Sequence, residues 1–520
     1  MKKNNTTFTR SHIIWGIVSI LFAVFLYVGC SVEHTGGMIG LSTARIAPFT
    51  ILLLSFLIFA GITWVRCISR ASRLQPTMSM ERWVFWLLLS VYLLYIFLLY
   101  PGSVQYDTHD QLRQFLGGYG MPLANHNPIA VTVFYGVLFK IGSRIADPNF
   151  GIFLGCFAQA LLMAYAFSKV FAFVKQSSNS KWASFCTFFF FILNPMWGGA
   201  AQILLKDSLH VSIFILFFLQ FIKMFDEDCS RKDLLLFIFW MFAAAVTRKA
   251  TCYIILVCGL MLVLYHAKKQ RRLFIVVTVA FWLVFSLYEN VLIPGMGIKN
   301  APVQENYVLQ FQQVAHVCIE HGDELSDEDI AIIDSVLDFE AIKQVYKTDI
   351  ADHIKRLYHP DGSLQEFNAL YFRLLLRYPM SCLKALILNN WKYFYPPSVG
   401  YKYFRSYVPE NVLGIYRVGG ATPLVKKWAD MWGERSILKL FVGPGLYTWL
   451  TIVAFAVALA KKNKKSILVV LPMIIFTLGM LATPRNGENR YAYPIMAAVP
   501  VLLACVCTTA EKTPADDKSY

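Results

Sequence analysis

The sequence predicts an all-α, polytopic transmembrane helical bundle of about 11–13 spans with a small helical lobe outside the membrane. Three observations carry this. Of 520 residues, 57% are hydrophobic and only 15% charged, against about 25% charged in soluble domains. About a dozen apolar runs approach the roughly 20 residues that a bilayer crossing takes. The short loops between them collect the basic residues, as the positive-inside bias requires.

The first run, 13–29, follows Lys2, Lys3 and Arg10 and ends in LYVGC. That ending approaches a lipoprotein cleavage site, but Tyr27 stands where leucine is usual, so the run reads as an uncleaved anchor. Runs at 49–65 and 83–100 flank a loop carrying Arg66, Arg70, Arg73 and Arg82. The next runs are 151–174, 182–205, 209–225, 234–246, 252–266 and 273–292, followed by 438–459, 467–482 and 491–507. KKQRR at 268–272 and KKNKK at 461–465 mark two further loops as cytoplasmic. Both termini are then cytoplasmic, and 101–127, 293–436 and 483–490 lie outside. Parity requires an odd number of crossings between residues 101 and 268. The short piece 129–142 is read as re-entrant or surface-lying, which puts Lys206-Asp207 and Arg248-Lys249 outside; if 234–246 fails to cross instead, Lys206-Asp207 is cytoplasmic.

The resulting organisation is 1–82, N-terminal extra spans and a cytoplasmic loop; 83–292, a membrane core with its first external loop at 101–127; 293–436, an extracytoplasmic lobe; 437–508, C-terminal spans; and 509–520, a cytoplasmic tail. The 293–436 segment is too long for a connector. Its stretch DELSDEDIAIIDSVLDFEAIKQVYKTDIADHIKRL has helical periodicity, with Ser326 placed as a helix cap. The net charge of +16 lies in loops between spans, which leaves no basic domain for nucleic acid. Most of the 11 cysteines fall inside spans, where they act as small apolar residues. Only Cys318 and Cys382 share a large loop; a disulfide between them stays open, and no metal-type spacing occurs.

Polar residues in so apolar a chain mark the candidate site. Asp107, Asp110, Gln111 and Gln114 stand at i, i+3, i+4 and i+7, one stripe of a helix beside the membrane surface. A carboxylate there suits a divalent cation facing phosphate, or proton removal from a hydroxyl; a solvated amphipathic helix is the plainer reading. Lys206 and Asp207 sit between two spans, where ionisable groups are costly, although Asp207 is also a good helix cap and Lys206 can snorkel. Arg248 and Lys249 interrupt two short helices and suit a lipid phosphate or a snorkelling turn. Arg485 and Arg490 place positive charge on the external side, against the inside bias, and a guanidinium there fits an anionic carrier. Tyr491 and Tyr493 read as belt aromatics. His126 either orients an acceptor or starts a helix.

These motifs resemble the polytopic C-type glycosyltransferases (GT-C superfamily), and within them an uncharacterised bacterial branch. The resembling segments, in order, are YPG closing a span, an Asp four residues before a Gln, NHNP before a short apolar helix, LNPMWGGAAQILLKDSLHVSIF, VLQFQQVAHVC with DIADHIK, and TPRNGENRYAYP. They run from about residue 95 to the end. The resemblance implies a GT-C-like first external loop, with Asp107 as its catalytic or metal-binding carboxylate and Mg²⁺ or Mn²⁺ as candidate ion. It departs from the family in splitting the usual acidic pair as DTHD, which leaves the roles of Asp110 and His109 open. It also implies a polyprenyl-phosphate-linked sugar donor, a cell-envelope glycan or other acceptor, and a bacterial plasma-membrane location with the site outside. Two other functions compete: a transporter or flippase of lipid-linked sugars, which predicts charge at mid-membrane, and a surface-polysaccharide polymerase or ligase, distinguished by a diphosphate carrier.

Overall fold

The computed structural model describes residues 3–35 and 78–507, apart from 179, 227, 228, 436 and 484. The expected run at 49–65, the basic residues 66–73 and the 509–520 tail lie outside the described residues. The chain is helical, 76% helix against 3% strand. Among the described residues six helices are long and apolar enough to cross a membrane: Ile13–Glu33, Glu81–Leu98, Pro148–Ser178, Lys268–Gly295, Lys464–Ala482 and Asn489–Cys507. A seventh counts if Lys181–Leu193 and Pro195–Gln202, bent by 49°, form one broken span.

Of the 11–13 spans expected, the run at 49–65 lies outside the described residues, and several other apolar runs fold into short or charge-ended helices. Thr251–Tyr265 and Gly445–Ala460 have 15 and 16 residues. Lys206–Lys223 and Arg231–Thr247 have 18 and 17 residues and carry three charges each. All four nonetheless run between the same two ends of the bundle. At one end Lys223 pairs with Asp233, Lys464 Nζ donates to the Leu264 carbonyl, and Lys465 pairs with Asp226. The other end carries Asp107, Arg248 and Arg490 and is called the charged end below.

Local chemistry sets the breaks. Asn194 Oδ1 accepts the Met196 N–H at 3.0 Å, capping a new helix whose first residue is Pro195, the position where a proline costs a helix nothing. Ser230 and Asp233 close a capping box on Arg231–Thr247. Ser326 caps Asp327–Val336 by accepting the Asp329 N–H at 3.2 Å. Helix Ile129–Ile145 has both of its ends at the charged end. Near its start, Asn125 bonds Glu289 and Thr132 meets Gln111. Beyond its finish, Asn149 Oδ1 accepts the Tyr416 N–H, beside Arg417, whose guanidinium reaches the Leu99 carbonyl and Ser103. Two glycines let this helix lie flat on Pro148–Ser178: a Cβ on Gly142 would come within 2.5 Å of the Gly151 backbone.

The main core fills the bundle. A second core, centred on Phe311, Ile333, Ile342, Phe367 and Leu370, joins helices between Val308 and Leu388 into a compact unit. Cys318 and Cys382 both belong to it as free, buried thiols. The rest of the 293–436 segment returns to the bundle. Trp449 Nε1 donates to the Phe394 carbonyl, and Gln202 Nε2 to the Arg405 carbonyl. Residues 395–420 thus form a strap across the charged end.

Candidate functional site

Four chain segments meet at this end. The first is the loop helix Tyr106–Leu116. Ser103–Val104, just before it, pairs in parallel with Ile203–Leu204, and the Thr108 hydroxyl donates to the Leu204 carbonyl at 2.6 Å. That pairing keeps 203–204 extended, so the second segment, helix Lys206–Lys223, starts directly at Lys206. Asp207 therefore stands inside the first turn and caps nothing; Leu205 is the cap residue. The third is the Thr247–Thr251 turn, held by His210, whose ring nitrogens lie 3.0 and 3.1 Å from the Thr247 and Thr251 hydroxyls. The fourth is 485–490, where Tyr401 and Glu488 form a bridge between strap and loop.

Their charged side chains form one array. Arg490 Nη1 donates to Asp107 Oδ2 at 2.8 Å. Arg490 Nε lies 3.9 Å from Asp207 Oδ2 and 3.7 Å from Glu488 Oε1. Arg248 Nη1 stands 3.5 Å from Asp207 Oδ1. Arg405 Nη2 contacts Glu488 Oε1 at 2.5 Å. Lys206 Nζ donates to Asn127 Oδ1 at 2.6 Å. The side chains of Asp207 and Glu488 are each only 2% exposed. Asp207 Oδ2, Arg248 Nη1 and Arg490 Nε are buried without a hydrogen-bond partner, a state costly enough that buried polar groups seldom adopt it.

Burial pushes the Asp107 carboxyl up, but Arg490 and Lys206 overcome that and hold it at about 2. Burial also raises the Glu488 carboxyl, against the pull of Arg490 and Arg405. Four cations, Lys206, Arg248, Arg405 and Arg490, face three carboxylates, Asp107, Asp207 and Glu488, so the array has one positive charge in excess. Such an excess attracts anions.

Of the candidates, Asp107, Lys206, Asp207, Arg248 and Arg490 come together. The others do not. Gln111 is buried with its Nε2 on Thr132 Oγ1 at 2.9 Å, part of the packing between two helices. Asp110 is partly exposed, 3.8 Å from both His109 and Arg113; the predicted polar stripe is thus divided among site, core and solvent. Lys249 pairs with Glu289 at 2.7 Å. Arg485 turns to Asp352 and Tyr401, at 3.0 and 2.9 Å. His126 is exposed, within electrostatic reach of Lys206, Asp107, Glu305 and Lys355. Sequence reasoning missed Glu488 and Arg405, which read as ordinary loop charges. It also read both tyrosines as belt residues. Tyr493 is instead buried 5.7 Å from Trp197. The Tyr491 ring lies 5.4 Å from the Arg248 guanidinium and 5.1 Å from that of Arg490.

The donor set does not suit Mg²⁺ or Mn²⁺. Each of the three carboxylates already faces a guanidinium or ammonium group, and a hard dication needs oxygen ligands free of such competition. Among the described residues no group of three or more His, Cys, Asp or Glu converges as a metal site.

A family model described as a family of unknown function, DUF6020, matches residues 119–519. The match begins after the loop helix and includes Lys206, Asp207, Arg248, Glu488 and Arg490. Comparison with curated proteins and with solved structures returns no match.

Proposed function

The chain belongs to this family, and from that premise we propose that it is a membrane glycosyltransferase. It moves a sugar from a polyprenyl-phosphate carrier to a cell-envelope glycan or another surface acceptor. One observation carries the reading: the array that joins Asp107, Arg490, Asp207 and Arg248 at one end of the bundle, with buried charged atoms that make ion pairs but no hydrogen bond.

In this reading the donor phosphate enters against Arg490, Arg248 and Lys206. Guanidinium groups stabilise charge that grows on a leaving phosphate, most strongly where water is excluded. The acceptor hydroxyl oxygen bonds to the anomeric carbon, and the bond from that carbon to the phosphate oxygen breaks. The electron pair leaves with the phosphate, and the hydroxyl proton passes to Asp107. An incoming phosphate competes with Asp107 for Arg490. Freed from that guanidinium, Asp107 becomes a stronger base just when a proton must be taken. No step passes through a metal.

The array's position at the end of the bundle favours an enzyme over a carrier, which holds its charged site near the bilayer midplane. The basic loops at the opposite end support a site outside the plasma membrane, with both termini cytoplasmic.

The test is Asp107→Asn, purified in detergent and assayed on a defined lipid-linked sugar. Transfer is expected to disappear while the thermal melting profile stays that of the parent. Full retained activity would move the chemistry away from Asp107 and reject the reading.

A further inference from the structure

The helix Thr422–Glu434 has no part in the charged array, yet it is amphipathic in an unusual sense. Its inner face, Val425, Ala429 and Trp432, is buried. Its outer face exposes Leu424 and Trp428, one turn apart, among exposed Lys426, Lys427 and Arg435. A soluble helix would not expose its apolar residues beside its basic ones. An apolar stripe flanked by basic residues, here with Asp430 and Glu434 on the polar face as well, is what a helix lying in a lipid interface requires.

The helix's depth is fixed by a contact. The helix packs against the candidate span Glu81–Leu98, with Trp428 beside Tyr95 in the last turn of that span. Neighbouring residues of that span, Leu94 and Phe97, are 54% and 58% exposed. The outer face of Thr422–Glu434 therefore continues the lipid-facing side of a spanning helix at the level where that helix ends. An indole at this level, apolar in body and donating at its tip, is the usual interface anchor.

We infer that Thr422–Glu434 is a membrane-interface helix that seats Leu424 and Trp428 beneath anionic lipid headgroups, with Lys426, Lys427 and Arg435 at their phosphates. Its inner face ties this docking to the strap, since the Tyr403 hydroxyl donates to the Ala429 carbonyl at 2.9 Å. Two residues further on, Arg405 holds Glu488. Lipid contact thereby sets the height of the charged array over the bilayer.

The test uses the full-length protein in nanodiscs of phosphatidylcholine, with or without phosphatidylglycerol. An environment-sensitive fluorescent amino acid is placed at position 424, or at the exposed position 434 as reference. Lipid brominated high on its acyl chain should quench position 424 at least about twofold more than position 434, since interfacial helices bury their apolar face ~5–10 Å deep. Acrylamide in water should show the reverse order. Phosphatidylglycerol should deepen the quenching at 424, and Lys426→Glu with Lys427→Glu should remove that increment. Equal lipid quenching at both positions, or quenching of 424 by acrylamide alone, would overturn the inference and assign the face to a soluble partner. An increment indifferent to phosphatidylglycerol in the parent would overturn the role given to the basic residues.

Discussion

Arg490 is the residue on which the array turns, since it reaches Asp107 directly and lies within 4 Å of Asp207 and Glu488. Lysine at 490 would keep the charge and lose the planar, two-pronged contact. Arg490→Lys is expected to retain part of the activity and Arg490→Ala to lose about 10²–10³ in kcat, the range for a missing transition-state donor. Kinetics on a polyprenyl-phosphate sugar measures both, and an alanine variant equal to the parent would leave Arg490 as an anchor only. The pH dependence follows from Asp107, whose carboxyl is held at about 2, below its ordinary value of 3.8. A carboxyl depressed by folding contributes its ion-pair stability above the ordinary value and loses it as pH falls through the lowered one. Lys206→Met removes the second of the two cations responsible while burial persists, so the acid limb of kcat/KM should move up in pH. A limb that stays in place would assign it to another group. Asp107, Lys206, Asp207, Arg248 and Arg490 were legible because charge at the edge of apolar runs is conspicuous. Their partners were not: Asp107 and Arg490 are 383 residues apart, and no helical period reports a contact over that distance. Lys249 and Arg485 look just as conspicuous in the sequence, yet they are satisfied by Glu289 and Asp352.

Among the elements, the short parallel pair of Ser103–Val104 with Ile203–Leu204 aligns the segments that bear Asp107 and Lys206. Gln202 ties it to the strap. Its Oε1 accepts the Ser103 hydroxyl at 2.7 Å, and its Nε2 donates to the Arg405 carbonyl at 2.7 Å. The side chain is fully buried, so truncation leaves the Arg405 carbonyl without this donor and the Ser103 hydroxyl without this acceptor. Leaving a buried group unpaired costs about 1–3 kcal/mol. Gln202→Ala should lower the melting temperature in detergent and reduce kcat, since it ties the Ser103 segment to the strap without entering the array. A variant that melts lower yet turns over at the parental rate would separate this hub from the site. The break before this pair could be read from Asn194-Pro195, because a proline opens a helix and an asparagine caps it. The pair itself could not. Two residues of strand carry no period, and Ile203 and Leu204 read as the continuation of an apolar run.

For the whole molecule, the decisive asymmetry is between its two ends. Lys461, Lys464 and Lys465 of KKNKK bond to Val506, Leu264 and Asp226, which gathers the basic loops opposite the charged array. The compact unit around Phe311 and Ile333 belongs to the other end, where Ile350 bridges Arg485 and Asp352 pairs with it at 3.0 Å. The charge bias behind the expected sidedness was legible, since loop composition is a one-dimensional property. The number of crossings was less so, because a run of about 15 apolar residues serves equally as a buried short helix or a span. Basic loops stay on the cytoplasmic side during insertion, so the unit carrying Ser326 should face outside. A cysteine at Ser326, exposed at a helix start, should react with a membrane-impermeant maleimide in intact cells, above the level of the parent. Because that serine is a cap worth about 1 kcal/mol, Asp323→Cys, exposed nearby in the same unit, guards against labelling of a loosened helix. Lys269→Cys, exposed in the first turn of helix Lys268–Leu287 at the opposite end, should stay protected until the cells are lysed. If position 269 labels in whole cells while 323 and 326 do not, the chain sits the other way round. The charged array would then open to the cytoplasm, where a donor carrier presented on the outer leaflet could not reach it.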